Sequence, residues 1–310
     1  MNPEISILCN AFQHEKYIAQ ALDGFIMQKL NVPFEILVHD DASTDGTAEI
    51  IRRYAQTYPA LVFPIFQTEN QYSQGVLITP QIQLPRARGK YIAFCEGDDF
   101  WTDPEKLQLQ YDFMEQHPEY SLCCHAYSMV DREGKLIEER RDLKADGVVP
   151  TERLIGNQLL VPHFATMLAR RKCLERLGAR FLGEPCNDML IRLYCHAQGP
   201  VYYLDRNMSC YRRFTENSWS VRIGLQREKF LAQQKDRLTF LEKYDEYTQG
   251  KYTEAIRQEL VRRRFEIALS EGDYKAAFKS PAYRNASAKR RLGIAVGCVF
   301  PKLIDRTRKG

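Results

Sequence analysis

No stretch of this 310-residue chain approaches the run of about 18–20 apolar residues that crosses a bilayer. The opening Met1-Asn2-Pro3-Glu4 has neither the basic patch nor the apolar core of a secretory signal, so a cytoplasmic protein is expected. No two cysteines are spaced C-x-x-C, and the nine present are odd in number, which leaves a zinc site or a disulfide framework poorly supported. Several lie inside apolar runs, where a free thiol packs as a small hydrophobe. The six histidines show no H-E-x-x-H or similar metal spacing. His14 and His163 could sit near a site, but each is more simply a polar core or loop residue, and both are left out of the catalytic set.

What is present is ordinary in bulk and uneven in detail. Hydrophobic residues make up 44% and charged residues 27%, which excludes global disorder and allows a sizeable core. The net charge of +4 hides an asymmetry. Residues 281–310 hold eight Lys or Arg against Asp305 alone and sum to +7, leaving −3 for residues 1–280.

The first half alternates between strand and helix periods. Ile5–Cys9, Phe34–Val38, Leu61–Phe66, Lys90–Cys95 and Leu122–Val130 read as strands, the third broken by Pro64. Helices are expected over Lys16–Gln28, from a Ser43 or Thr44 cap to Tyr58, and from Asp103-Pro104 to His117. Asp131–Gly134 reads as a hairpin turn. Later, Phe164–Ala169 and Val201–Leu204 read as strands and Asp188–Gln198 as a helix, with helical patterns from Val221 to Lys279. Such alternation argues for an α/β fold with a mostly parallel sheet flanked by helices, which binds ligands beyond the C-terminal ends of its strands.

Two acidic clusters stand at two of those ends: Asp40-Asp41, and Glu96-Gly97-Asp98-Asp99. Adjacent carboxylates repel, and a divalent cation relieves the repulsion. All-oxygen ligands suit Mg²⁺ or Mn²⁺, and such an ion stabilises a diphosphate leaving group. Each cluster alone is more simply a set of solvated loop acids; two at one sheet edge favour a site.

Here a resemblance becomes specific. The stretch from Glu4 to about Tyr127 resembles the family 2 inverting glycosyltransferases, of GT-A fold. Ile5–Ile18 is similar to that family's opening strand and loop, Phe34–Thr47 to its nucleotide-binding strand and turn, and Arg88–Leu107 to its metal-binding segment. The resemblance implies a nucleotide-sugar donor held by Ala11 and Phe12, largely through backbone, and by Asp41 at the base. Asp98 and Asp99 fall at the family's Asp-x-Asp position, which implies donor and metal contact and leaves open which of the two ligates directly. Where the family often has Pro-Thr-Tyr-Asn, this chain has Asn10-Ala-Phe-Gln13, without the two hydroxyls. The catalytic base it implies is Asp188, at the start of a helix. That acid is otherwise a plain helix N-terminal carboxylate. Tyr211-Arg-Arg-Phe214 resembles a segment closing over the diphosphate. Phe214 stands where the family often has His, and Arg212 or Arg213 is expected to pair with phosphate unless both simply solvate a strand end.

The implied organisation is a GT-A domain over 1–220, a helical extension over 221–280 and a basic amphipathic tail over 281–310. The implied activity is transfer of a sugar to a hydroxyl of a glycan or lipid-linked acceptor, in cell-surface polysaccharide synthesis. In the tail, Lys289-Arg-Arg291 precedes about nine apolar residues, which suits either peripheral contact with an anionic membrane or a helix packed on the body. Nucleic acid is not expected as a partner, since no aromatic-interleaved basic face is present. Two rival classes remain. A sugar nucleotidyltransferase wants a Gly-rich loop after the first strand, and Asn10–Glu15 has no Gly. A non-catalytic nucleotide-sugar-binding scaffold has no use for intact acids at 41, 98, 99 and 188.

Overall fold

The computed structural model describes residues 2–141, 143–156, 162–175, 187–213 and 227–300. These fall into two compact units, Met1–Val221 and Arg222–Gly310.

In the first unit the apolar runs become one ten-stranded mixed sheet. Strands β1 (Ile5–Ala11), β2 (Phe34–Asp40), β3 (Val62–Phe66) and β4 (Tyr91–Glu96) lie parallel in the order β3-β2-β1-β4. Helices α1 (Ile18–Ile26) and α2 (Thr47–Thr57) make the crossovers, as parallel neighbours require. Pro64, which cannot donate to a ladder, sits on the edge strand β3, where it is tolerated. After β4 come the two-residue β5 (Phe100–Trp101), helix α3 (Lys106–Gln116) and β6 (Leu122–Val130). Residues of β6 are buried from end to end, as a doubly covered strand should be.

The rest closes the sheet. An exposed hairpin carries β7 (Leu136–Arg140), turned at Gly134 with φ 86°. The short β8 (Gly147–Val148) and α4 (Thr151–Gly156) follow. Strand β9 (Leu168–Arg170) runs antiparallel between β4 and β6. Helices α5 (Arg171–Leu174) and α6 (Asn187–Gln198) lead to β10 (Val201–Arg212), parallel to β6 and antiparallel to β5. The core packs Ile5, Ile7, Cys9, Phe25, Ile36, Val38, Ala93 and Cys95 with Leu107, Met114, Cys123 and Leu168. Each large side chain there contributes about 1.5–3 kcal/mol by leaving water. The described cysteines are free thiols, and all but Cys298 are buried.

Two local expectations are corrected. Ser43 and Thr44 do not cap α2. The helix begins three to four residues later, at Thr47, and both hydroxyls bond to Gln13 instead. The expected strand over Phe164–Ala169 is a 3₁₀ turn at Phe164–Thr166 followed by β9. His163 nucleates that turn, its Nδ1 accepting from the Ala165 amide.

The second unit is helical: α7 (Arg227–Tyr247), α8 (Thr253–Glu271), α9 (Tyr274–Lys279) and α10 (Ala288–Val299). Gly272, at φ 80°, ends α8 in the left-handed turn that glycine adopts without strain. Phe265, Leu269, Tyr274, Ala277 and Ile294 form its small core. The basic segment that began at residue 281 in the sequence reading lies within this unit. Among the described residues no helix is long and apolar enough to cross a membrane.

Candidate active site

In a parallel sheet every C-terminal strand end opens on the same edge. Register sets Ala11 beside Asp40 and Asn10 beside Glu96, so the two acidic clusters flank the end of β1.

The loops leaving β1 and β2 are laced together. Gln13 donates its backbone amide to Ser43 Oγ (2.9 Å), and its Oε1 accepts from the amides of Thr44 (3.0 Å) and Asp45 (3.1 Å). His14 N–H donates to Thr47 Oγ1, and Glu15 N–H to Asp45 Oδ2. Gln13 and Ala42 are held at φ 58° and 61°, a left-handed conformation that is uncommon outside glycine and tends to mark functional turns. Ala11 is buried and its carbonyl accepts from Asp41 N–H (2.9 Å); Phe12 is half-buried in the same loop.

Asp41 is 4% exposed. Its two carboxylate oxygens accept from the amides of Gln71 (2.8 Å) and Tyr72 (3.0 Å), at the start of a 3₁₀ turn over Tyr72–Gln74. Each oxygen retains acceptor capacity beyond those bonds. Beneath it Asp40 is buried, and burial raises its pKa. Burial also pushes His39 down to about 4, so its ring is neutral and meets the Gln67 amide group (3.1 Å).

The second cluster needs its glycine. A Cβ on Gly97 would lie 2.8 Å from His14 Nδ1 and 3.1 Å from the Asn10 carbonyl. Gly97 N–H donates to that same carbonyl (2.7 Å), which pins the acidic loop against β1. Asp99 follows, 2% exposed. Burial, and then the neighbouring charge of Asp98, hold its pKa well above the usual carboxylate range, with Glu96 adding to the effect and the Arg212 amide opposing it. Asp98 Oδ2 stands 3.9 Å from His14 Nε2, and Asp99 Oδ2 stands 3.9 Å from His163 Nε2. The His163 ring is flanked by Tyr127 and Tyr211, at centroid distances of 5.0 and 4.3 Å. Both histidines set aside in the sequence thus flank the acids. Their only advance signal was that His14 falls within the first motif.

Arg212 behaves differently from the expected phosphate ligand. It is 3% exposed, and its amide donates to Asp99 Oδ1 (2.8 Å). Its guanidinium donates to the carbonyls of Asp98 (3.0 Å) and Arg132 (3.0 Å) and to Gln20 Oε1 (2.6 Å), and lies over the rings of Tyr17 and Phe100. With the Asp131 carbonyl (3.4 Å) these make four acceptors for its five N–H groups, so Arg212 holds the acidic loop from behind. A buried arginine without such partners would be strongly destabilising, which explains how fully it is bonded.

Asp188 lies in the first turn of α6. Its side chain, like Phe214 after Arg213, falls outside the described residues.

Among the described residues no group of three or more His, Cys, Asp or Glu is arranged to hold a metal by itself. Mg²⁺ and Mn²⁺ commonly take one or two protein carboxylates and complete their shell with substrate phosphates and water. Asp99, a buried carboxylate beside two further acids, is a fitting donor for such an ion.

The family model for glycosyl transferase family 2 matches residues 6–178, more than half of the chain. The uncharacterized Mycobacterium tuberculosis protein Rv1520 is 34% identical over 225 residues, 69% of this chain and 60% of the relative, so the chain spans three fifths of that relative's length. Chondroitin synthase of Escherichia coli is 26% identical over 232 residues, 73% of this chain and 31% of the synthase. Among solved structures, S. aureus TarS 1–349 in complex with UDP-GlcNAc is similar with a TM-score of 0.58 at 16% identity, over 97% of this chain and 88% of that one. The mannosyltransferase PcManGT from Pyrobaculum calidifontis, in complex with GDP-Man and Mn²⁺, reaches 0.61 at 17% identity, over 97% and 81%. At those identities the two structures speak to the fold, and they agree with the curled, mostly parallel sheet found here. By the sequence match across its sheet and both acidic loops, the chain belongs to glycosyl transferase family 2.

Proposed function

We propose that the protein transfers a sugar from a nucleoside-diphosphate donor to a hydroxyl of a glycan or lipid-linked acceptor, with inversion, in the synthesis of a cell-surface polysaccharide. The carrying observation is the pairing of Asp41 and Asp98-Asp99 at one sheet edge, around a β1–β2 loop lattice that holds two strained backbones. Asp41 offers its remaining lone pairs to N–H groups of the base, and the Ala11-Phe12 backbone lines the nucleotide. Asp98 and Asp99 would hold a divalent cation, Mg²⁺ or Mn²⁺, and such an ion would neutralise charge on the departing diphosphate. The Mn²⁺ and GDP-Man in the PcManGT structure, and the UDP-GlcNAc in TarS, support donors of this class.

Asp188 takes the proton from the acceptor hydroxyl. The acceptor oxygen bonds to the anomeric carbon as the carbon–oxygen bond to the diphosphate breaks, and the nucleoside diphosphate leaves on the opposite face. In this reading the protein works on the cytoplasmic side, with its basic tail against a membrane surface that bears the acceptor.

The test is calorimetry of UDP and GDP with and without Mn²⁺, followed by a donor panel with linkage analysis of the product. Metal-dependent nucleotide binding, and turnover lost in Asp188→Asn with binding retained, are expected. Nucleotide binding indifferent to Mn²⁺ and to Asp99→Asn would overturn the assignment.

A further inference from the structure

Helix α10 is apolar on two faces. Its inner face carries Ile294, Gly297 and Cys298 onto the unit's small core. Gly297 sits where a Cβ would be only 2.5 Å from the Tyr274 ring, so this face is closely packed. The outer face should be polar on a helix at the surface of a soluble body. Instead it presents Ala288, Leu292, Ala295, Val296 and Val299, the spacing of one helical stripe. Leu292 and Val299 are each 67% exposed, and Phe300 just beyond is 60% exposed. Lys289 and Arg291 are exposed on the two flanks of the stripe. Arg290 turns to Glu266 and over Phe265.

A cleft of about 350 Å³ runs beside the helix, lined by Lys289 and Arg290 together with Leu269, Tyr274 and Ile294. The chain around this helix is the basic segment, +7 over residues 281–310.

We propose that the outer face of α10 docks on an anionic lipid surface, with Leu292, Val299 and Phe300 entering the headgroup–acyl boundary and Lys289 and Arg291 meeting lipid phosphates. This rests on the tail reading given above and fixes which residues make the contact. The mixture of chemistries decides the occupant. A polyanion such as nucleic acid would use the cations and leave the apolar stripe wet. An anionic bilayer uses both, because basic side chains reach outward along their stems while apolar neighbours insert. The stripe is about 18 Å long at 1.5 Å per residue, enough to lie in an interface and too short to span one.

The test is co-sedimentation of the full chain with vesicles of phosphatidylcholine alone and of phosphatidylcholine with phosphatidylglycerol. Binding only to the anionic vesicles is expected, weakening as salt is raised. Leu292→Glu with Val299→Glu should lower the partition at least roughly tenfold, and Lys289→Glu with Arg291→Glu about tenfold at low salt. All four positions are exposed, so melting temperatures should stay put. Absence of anionic-vesicle binding, or binding unchanged in the Leu292/Val299 variant, overturns the proposal. So does light scattering that shows a dimer dissociated by that variant, which would make a second copy the occupant. Metal-dependent nucleotide binding should be the same in all these proteins. Its failure in every one would strike the enzymatic reading and leave the docking face standing.

Discussion

Asp99 is a carboxylate whose charge the fold makes costly, through burial and through Asp98 and Glu96. Asparagine keeps its Oδ1 acceptor for the Arg212 amide and removes the charge. Asp99→Asn should therefore fold at least as stably as the parent, by thermal melting, and lose roughly 100-fold or more in transfer rate, the scale of a lost electrostatic stabiliser. Equal loss of stability and rate would mark Asp99 as structural only. Lys106 gives a pH prediction of the same sign as the usual acid effect, displaced to neutral and alkaline pH. It is wholly buried, bonded to Gln110 Oε1 and seated 3.9 Å from the Trp101 ring centroid. Burial lowers its pKa from 10.5 to about 7. Below about pH 7 both folded and unfolded chains hold the proton, and the folded state carries the full penalty. Between about 7 and 10.5 only the unfolded chain holds it, so this group's contribution to stability rises with pH across that window. Chemical denaturation at stepped pH should show the rise, and Lys106→Met should flatten it.

At the scale of elements, the β1–α1 and β2–α2 loops act as one frame. Gln13 is its central rivet, with one backbone and three side-chain bonds across the gap. Gln13→Ala removes three of these and leaves the amides of Thr44 and Asp45 unpaired. Nucleotide affinity, read by calorimetry, should fall about tenfold for the loss of roughly 1.4 kcal/mol of preorganisation. An affinity unchanged within error would mean the lattice is incidental to binding. On the other side, the end of β10 clasps the acidic loop through Arg212. Arg212→Lys keeps the charge but cannot reproduce a fork that reaches Asp98, Arg132 and Gln20. Its expected signature is a lower melting temperature together with a weaker response of nucleotide binding to Mn²⁺. A change in KM alone would instead restore a direct phosphate role.

For the whole molecule, ligand linkage gives a global readout. If nucleotide and cation bind together, UDP or GDP with Mn²⁺ at about 100 times the Kd should add about 2.7 kcal/mol to the stability of the unit that holds the site. Either component alone should add much less, and chelation should reverse the shift. The readout belongs to residues 1–221, since the two units each carry a core of their own.

Period and punctuation made the α/β class legible, because β1, β2, β4 and β6 are mostly apolar runs with an acid, glycine or proline at one end or both. The acids themselves were legible for the same reason: carboxylates directly after a buried strand have few roles except at its open end. What the linear chain could not express was convergence. His163 and Arg212 reach Asp99 from far along the sequence, where local surroundings read the first as a polar core or loop residue and the second as a phosphate partner or a strand-end cation. Ser43 and Thr44 were read as helix caps because capping is a local preference, while their actual partner, Gln13, is thirty residues away. Short-range chemistry is written along the chain. The partners of a buried polar group are chosen only when distant segments compete for it, and the packing of β10, the Phe164–Thr166 turn and the β1 loop around one carboxylate settled that competition.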